Sequence, residues 1–78
     1  MDEPVKELDL KGLKCPLPVL HTRRALTRLG AGERLVVFCT DPLSTIDIPH
    51  LVHELGDVLE ESRKQDDFII FRILRQAR

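Results

Sequence analysis

The stretch Leu8-Asp9-Leu10-Lys11-Gly12-Leu13-Lys14-Cys15-Pro16-Leu17-Pro18-Val19 passes from strand-like alternation to helical spacing. Leu8 and Leu10 alternate with polar residues, which predicts a short strand over 6–10, and Gly12 frees the backbone to turn. From Val19 to Leu29 the apolar residues recur at helical spacing, which predicts a first helix over 16–29. Proline is tolerated in a first helical turn, where backbone N–H groups have no intrahelical partner. Cys15 therefore falls at or next to the helix N-cap. There the positive end of the helix dipole and the free amides favour thiolate over thiol. With Cys15 as the N-cap, Pro18 has no N–H to give, so the Leu17 amide is the expected donor to sulfur. A buried, inert cysteine is the bland alternative. The two prolines and the glycine turn stiffen the segment and favour a working thiol instead.

Working outward, Pro18, Val19, Thr22, Ala25, Leu26 and Leu29 fall on one stripe of this helix, the expected core side. Leu17, Leu20, His21, Arg24 and Arg28 fall opposite. Gly30 and Gly32 close the helix. Residues 33–40, centred on Leu35-Val36-Val37-Phe38, read as a buried strand. After the Thr40-Asp41-Pro42-Leu43 loop, Ser44 and Asp47 resemble a capping box. Asp47 is the alternative cap, because Pro49 falls late for a first helical position. Ile48, Leu51, Val52 and Leu55 carry a second helix, which Gly56 stops. A weaker strand over 57–64, a turn at 65–67 and a strand over 68–74 complete the order βαβαββ. The expected fold class is α/β: a two-layer sandwich with both helices on one face of a four-stranded mixed sheet, spanning 1–78 as one domain with its core at about 6–75.

The chain has 78 residues, of which 12 are basic and 13 acidic. Dedicated nucleic-acid binders show a basic excess, so this balance argues against one. There is no Tyr or Trp, and Phe68 and Phe71 lie in an apolar run expected to be core, which weakens a base-stacking platform. Two cysteines do not make a disulfide framework. No signal peptide or membrane span is read in the acidic start Met1-Asp2-Glu3-Pro4, and the expected location is the cytoplasm. Cys39 ends an apolar strand and is expected to be a buried small hydrophobe. His21, His50 and His53 lack ligand spacing with the cysteines, so no metal site is expected.

Leu8-Asp9-x-x-Gly12-Leu13-x-Cys15-Pro16-x-Pro18-Val19 closely resembles the signature of the TusA-like (SirA-like) sulfur-carrier family. A second block agrees: Gly32-Glu33, then Thr40-Asp41-Pro42-x-Ser44-x-x-Asp47-Ile48-Pro49. The resemblance covers residues 8–74. It implies that Cys15 carries sulfur as a persulfide, taken from a cysteine desulfurase or a rhodanese-type donor and passed to an acceptor protein. The family serves tRNA 2-thiouridine synthesis, molybdenum-cofactor supply or sulfur oxidation. Leu17 stands where many tRNA-thiolation members carry an acidic residue, and Asp57 where many members carry His after the glycine. The resemblance therefore implies the sulfur chemistry without selecting a pathway.

On this reading Cys15 is the carrier, Gly12, Pro16 and Pro18 position it, and no cofactor is expected beyond the transient persulfide sulfur. Partners would load and unload it, with sulfurtransferase-type chemistry arising only in concert with them; the carrier itself is expected to be monomeric, with no direct nucleic-acid or membrane contact. The resemblance places basic docking residues just after the Cys-Pro-x-Pro motif, where Arg23 and Arg24 stand. The alternative for these arginines is a solvated helix face. Leu17 and Leu20 suit a transient interface if exposed, although cover by the second helix is favoured for Leu20. Asp41, at the end of the second strand, either lies near Cys15 or caps its own loop; with Leu17, Arg23 and Arg24 it completes the candidate docking set. Ser44 and Asp47 are read as caps. The rival readings are a small RNA-binding or regulatory module and a thiol redox protein, the latter lacking a convincing resolving cysteine.

Overall fold

A computed structural model describes residues 5–76. The elements run β1 (Val5–Leu10), α1 (Leu17–Thr27), β2 (Arg34–Cys39), α2 (Ser44–Leu55), β3 (Val58–Gln65) and β4 (Phe68–Leu74). The sheet order is β1-β2-β4-β3, with β1 parallel to β2 and the other pairs antiparallel. This is the expected α/β fold: four mixed strands and two helices in the order βαβαββ.

Register decides which side chains the helices cover. Leu8 pairs with Val37 and Leu10 with Cys39, while Leu35, Val37 and Cys39 pair with Ile73, Phe71 and Ile69. Paired residues share a face. These residues form one cluster with Leu26 of α1 and Ile48 and Val52 of α2, so both helices lie on the same side of the sheet. Phe71, Leu26, Leu35 and Ile48 are fully enclosed. The predicted α1 stripe is the one that packs: Pro18, Thr22 and Leu26 are buried and Val19, Ala25 and Leu29 half-buried. The Thr22 hydroxyl is buried there with no hydrogen-bond partner.

The opposite face of the sheet carries Val36, Phe38, Phe68 and Ile70 and has no helix over it. Phe68 therefore corrects one expectation. Phe71 is core, but Phe68 is only half-buried and stacks obliquely on Phe38 at 6.1 Å between ring centroids. The continuous apolar run of β4 hides an in–out alternation, because both faces take apolar residues.

The helix ends follow backbone chemistry. α1 stops at Thr27, and Arg28 and Leu29 donate to the carbonyls of Ala25 and Leu26, tightening the last turn. Gly56 closes α2 in the left-handed region at φ 76°, where a residue with a Cβ is disfavoured. Beyond it Asp57 is buried, accepting from Arg75 Nη1 at 2.8 Å and from the Gln76 amide at 3.1 Å. The Ser44–Asp47 capping box does not form. Leu43 occupies the N-cap position of α2 without a side-chain cap bond, and the Ser44 hydroxyl donates to the Asp41 carbonyl at 2.6 Å.

Candidate functional site

Because β1 and β2 are adjacent and parallel, their C-terminal ends lie side by side, and the chain leaves both ends into loops that must meet. The first loop turns on Gly12 at φ 88°, whose amide donates to Thr40 Oγ1 of the second loop at 2.9 Å. Lys11, next to it, places its ammonium 5.0 Å from the Phe68 ring centroid, a cation–π contact that holds the loop against the helix-free face. The first loop then delivers Cys15, joined to Pro16 by a cis peptide bond, to the start of α1. Pro16 occupies the N-cap position, so Cys15 lies one residue outside it.

Two carboxylates from the other loop and helix surround that cysteine. Asp41 Oδ2 accepts the Cys15 backbone N–H at 2.6 Å, and its Oδ1 accepts the Leu43 N–H at 3.1 Å. Both readings of Asp41 thus hold at once: it caps its own loop and grips the cysteine's backbone. Asp47, one turn into α2, accepts from Cys15 Sγ at 3.2 Å. Sequence reasoning had assigned this residue to a helix cap. Only tertiary structure brings it to the sulfur.

The electrostatics differ from the expectation of a helix-stabilised thiolate. The Leu17 amide, the expected donor to sulfur, is taken by the Lys14 carbonyl at 2.9 Å, and Pro18 has no N–H. The Cys15 thiol is pushed above its ordinary range, first by its hydrogen bond to Asp47, then by partial desolvation and by the negative charges of Asp47 and Asp41. Asp41 is held below the usual carboxylate range by the amides of Cys15 and Leu43. The Cys15 thiol is exposed, and its neighbours oppose rather than favour its ionisation.

The surroundings of the thiol are open. Leu17 is 43% and Leu20 52% exposed, so α2 does not cover Leu20, contrary to expectation. Leu43 and Ile46, which sequence reasoning passed over, are 51% and 66% exposed on the segment that carries Asp41 and Asp47. Each of the two segments meeting at Cys15 therefore exposes a pair of large apolar side chains. Arg24 is exposed, and Arg23 pairs loosely with Glu54 of α2 at 3.4 Å, both side chains half in water. Cys39 is buried, and burial pushes its thiol up. An open groove of about 590 Å³ is lined by Thr40, Pro42, Thr45, Ser62, Lys64 and Ile69 among others and does not include Cys15.

Comparison with known proteins agrees with this architecture. The profile of the family described as "Sulfurtransferase TusA" matches residues 6–75, nearly all of the chain. The chain belongs to the TusA family. A putative sulfur carrier protein of Archaeoglobus fulgidus is 35% identical over 77 residues, covering 95% of this chain and 100% of the relative. The sulfur carrier protein TusA of Allochromatium vinosum is 38% identical over 60 residues, covering 77% of this chain and 79% of that one. Among solved structures, the SirA-like protein of Desulfitobacterium hafniense superposes with a TM-score of 0.81 at 25% identity, over 94% of this chain and 99% of that protein. In this chain the Cys-Pro-x-Pro turn and the Thr-Asp-Pro loop that meets it both lie within the residues the family profile matches.

Proposed function

We propose that this protein is a sulfur carrier that holds sulfane sulfur as a persulfide on Cys15 and passes it between partner proteins. The observation that carries the reading is an exposed thiol at the meeting of two crosslinked loops in a TusA-family chain, outside the open groove lined by Thr40 and Ile69. Enzymes that act on small molecules enclose them in pockets. A sulfur that must enter two different partner sites needs the reverse, a thiol that stands outside any pocket on a backbone that does not move.

The chemistry follows thiol–disulfide exchange. Cys15 Sγ attacks the outer sulfur of the donor's persulfide, and the new S–S bond forms as the donor's breaks. The electron pair leaves on the donor's own sulfur, which takes up the proton Cys15 has lost. An acceptor's cysteine later attacks the outer sulfur on Cys15 in the same manner. No net oxidation occurs, and no cofactor is needed beyond the carried atom. The new sulfur lies about 2 Å beyond Sγ, a modest extension from an already exposed side chain.

Gly12, Pro16 and Pro18 serve as the positioning frame. Docking falls to Leu17 and Leu20 with Leu43 and Ile46, apolar pairs that exclude water around the transfer. Arg23 and Arg24 meet an acidic partner surface, and Asp41 a basic one. A cysteine desulfurase or a rhodanese-type protein is the donor class; the acceptor belongs to a route such as tRNA thiolation, molybdenum-cofactor supply or sulfur oxidation. A reducing compartment such as the cytoplasm suits a thiol that must stay free. Among the described residues no helix is long and apolar enough to cross a membrane.

The test is mass spectrometry after incubation with a cysteine desulfurase and cysteine. The wild type gains one sulfur atom, Cys15→Ser gains none, and Cys39→Ser gains one. Equal gain by both variants overturns the assignment.

A further inference from the structure

Asp47 is left unexplained by a carrier mechanism that needs an ionised sulfur. Its Oδ2 receives the Cys15 thiol at 3.2 Å, and a carboxylate at that distance stabilises S–H while opposing S⁻. Asp41, already fixed to the Cys15 amide, adds a second negative charge on the same side. Lys14 places an opposite charge near Asp41. The first two positions of α1 give the sulfur no donor, since the Leu17 amide is engaged by the Lys14 carbonyl and Pro18 lacks an N–H. An S–H held in this way is a weaker nucleophile than a thiolate.

Building on the carrier reading, we infer that Asp47 holds the Cys15 sulfur protonated in the free carrier, and that a positively charged side chain of the sulfur donor, docking against Asp41 and Asp47, releases it as thiolate. Ionisation then coincides with docking. A lysine or arginine beside the donor's persulfide would offset both carboxylates, and the thiol proton would pass to the sulfur that leaves. The resting carrier is thereby spared from stray electrophiles and oxidants, which react with thiolates. Asp47 acts directly on the reacting atom, and Asp41 positions it.

Two rates separate this from simple inhibition by a nearby charge. The first is alkylation of Cys15 in the free protein by iodoacetamide, followed site by site with mass spectrometry across pH. The second is single-turnover sulfur uptake from saturating persulfidated cysteine desulfurase. Asp47→Asn is expected to lower the alkylation midpoint and so to alkylate several-fold faster than the wild type at pH 7. Asp47→Ala should do likewise, which excludes a special effect of the new amide; circular dichroism confirms that both variants fold. Sulfur uptake by either variant is expected to be no faster than by the wild type, because docking already supplies the compensating charge. An unchanged alkylation profile in both variants overturns the role of Asp47. Uptake that accelerates in step with alkylation overturns the coupling to the partner. If the wild type itself gains no sulfur, the carrier reading fails, and the alkylation arm still judges the hold of Asp47 on the thiol.

Discussion

Helix α2 has an aspartate near each end, and the two do opposite work. Asp47, in the first turns, is part-exposed and bound to a sulfur that reaches the surface. Asp57, just past the stop at Gly56, is buried and bound to Arg75 and the Gln76 amide, which tie the end of β4 to the end of the helix. The same side chain is a structural anchor where water is excluded and a chemical control where it is not. Solvent decides, because a buried charge left without its partner is costly while an exposed one is rehydrated.

The sharpest way to break this contrast is to remove the buried carboxylate. Asp57→Ala removes the carboxylate from the Arg75 guanidinium, whose side chain is 14% exposed, and from the Gln76 amide. Loss of one member of a buried pair costs about 3 kcal/mol, a large share of the stability of so small a domain. Urea unfolding followed by circular dichroism should show the midpoint falling steeply. A change below about 0.5 kcal/mol would mean that the pair contributes no more than a surface one.

A second, smaller effect tests burial without charge. The Thr22 hydroxyl sits in the α1 core stripe with no partner. Thr22→Val keeps the shape and removes the unsatisfied group, so the variant should gain about 1 kcal/mol in the same assay. Alkylation of Cys15 should not change, since Thr22 lies on the packed side of the helix and Cys15 outside its start.

The third test returns to the exposed region. Asp41 has a depressed pKa in the folded state through the amides of Cys15 and Leu43. Its contribution is therefore present above the ordinary carboxylate range and is lost as pH falls through the depressed value. Carboxyl NMR titration should show Asp41 protonating below the ordinary carboxylate range, with the Cys15 and Leu43 amide signals moving in the same step. Amide signals that move in the ordinary carboxylate range would detach Asp41 from the cysteine loop.

These differences also mark what a linear reading can reach. The α1 stripe was legible because one face of that helix is apolar and the other charged, so periodicity alone separates Leu26 from Arg24. The β1–β2 relationship was legible as a β-α-β passage, and it brought Asp41 within range of Cys15. Asp47 was not legible as a partner of sulfur. Its local neighbours, Ser44 and Pro49, imitate a helix start, and the competing bond runs to a residue 32 positions away. Phe68 and Leu20 misled for a related reason: an apolar side chain does not announce which surface is left uncovered. Local patterns fix elements; the charge state of the cysteine is a property of how two loops meet.

The smallest stability effect is expected at Asp47, and there the pH dependence carries the information. Asp47→Ala should alter stability near neutrality by no more than about 0.5 kcal/mol, as for other part-exposed sites. The wild-type Cys15 thiol has a raised pKa in the folded state, so the native protein retains a proton that the unfolded chain releases first. The stability this contributes is complete below the unfolded thiol's pKa and is lost as pH rises through the folded value. The wild type should therefore lose stability more steeply than Asp47→Ala as pH rises through the thiol range, with any advantage it holds near neutrality lost or reversed at the alkaline end, where Asp47 repels the thiolate. Cys15→Ser, which has no thiol to titrate, should lack the extra slope. Parallel pH profiles for the wild type and Asp47→Ala would show that the carboxylate does not govern the sulfur's proton, and the contrast between the two ends of α2 would reduce to burial alone.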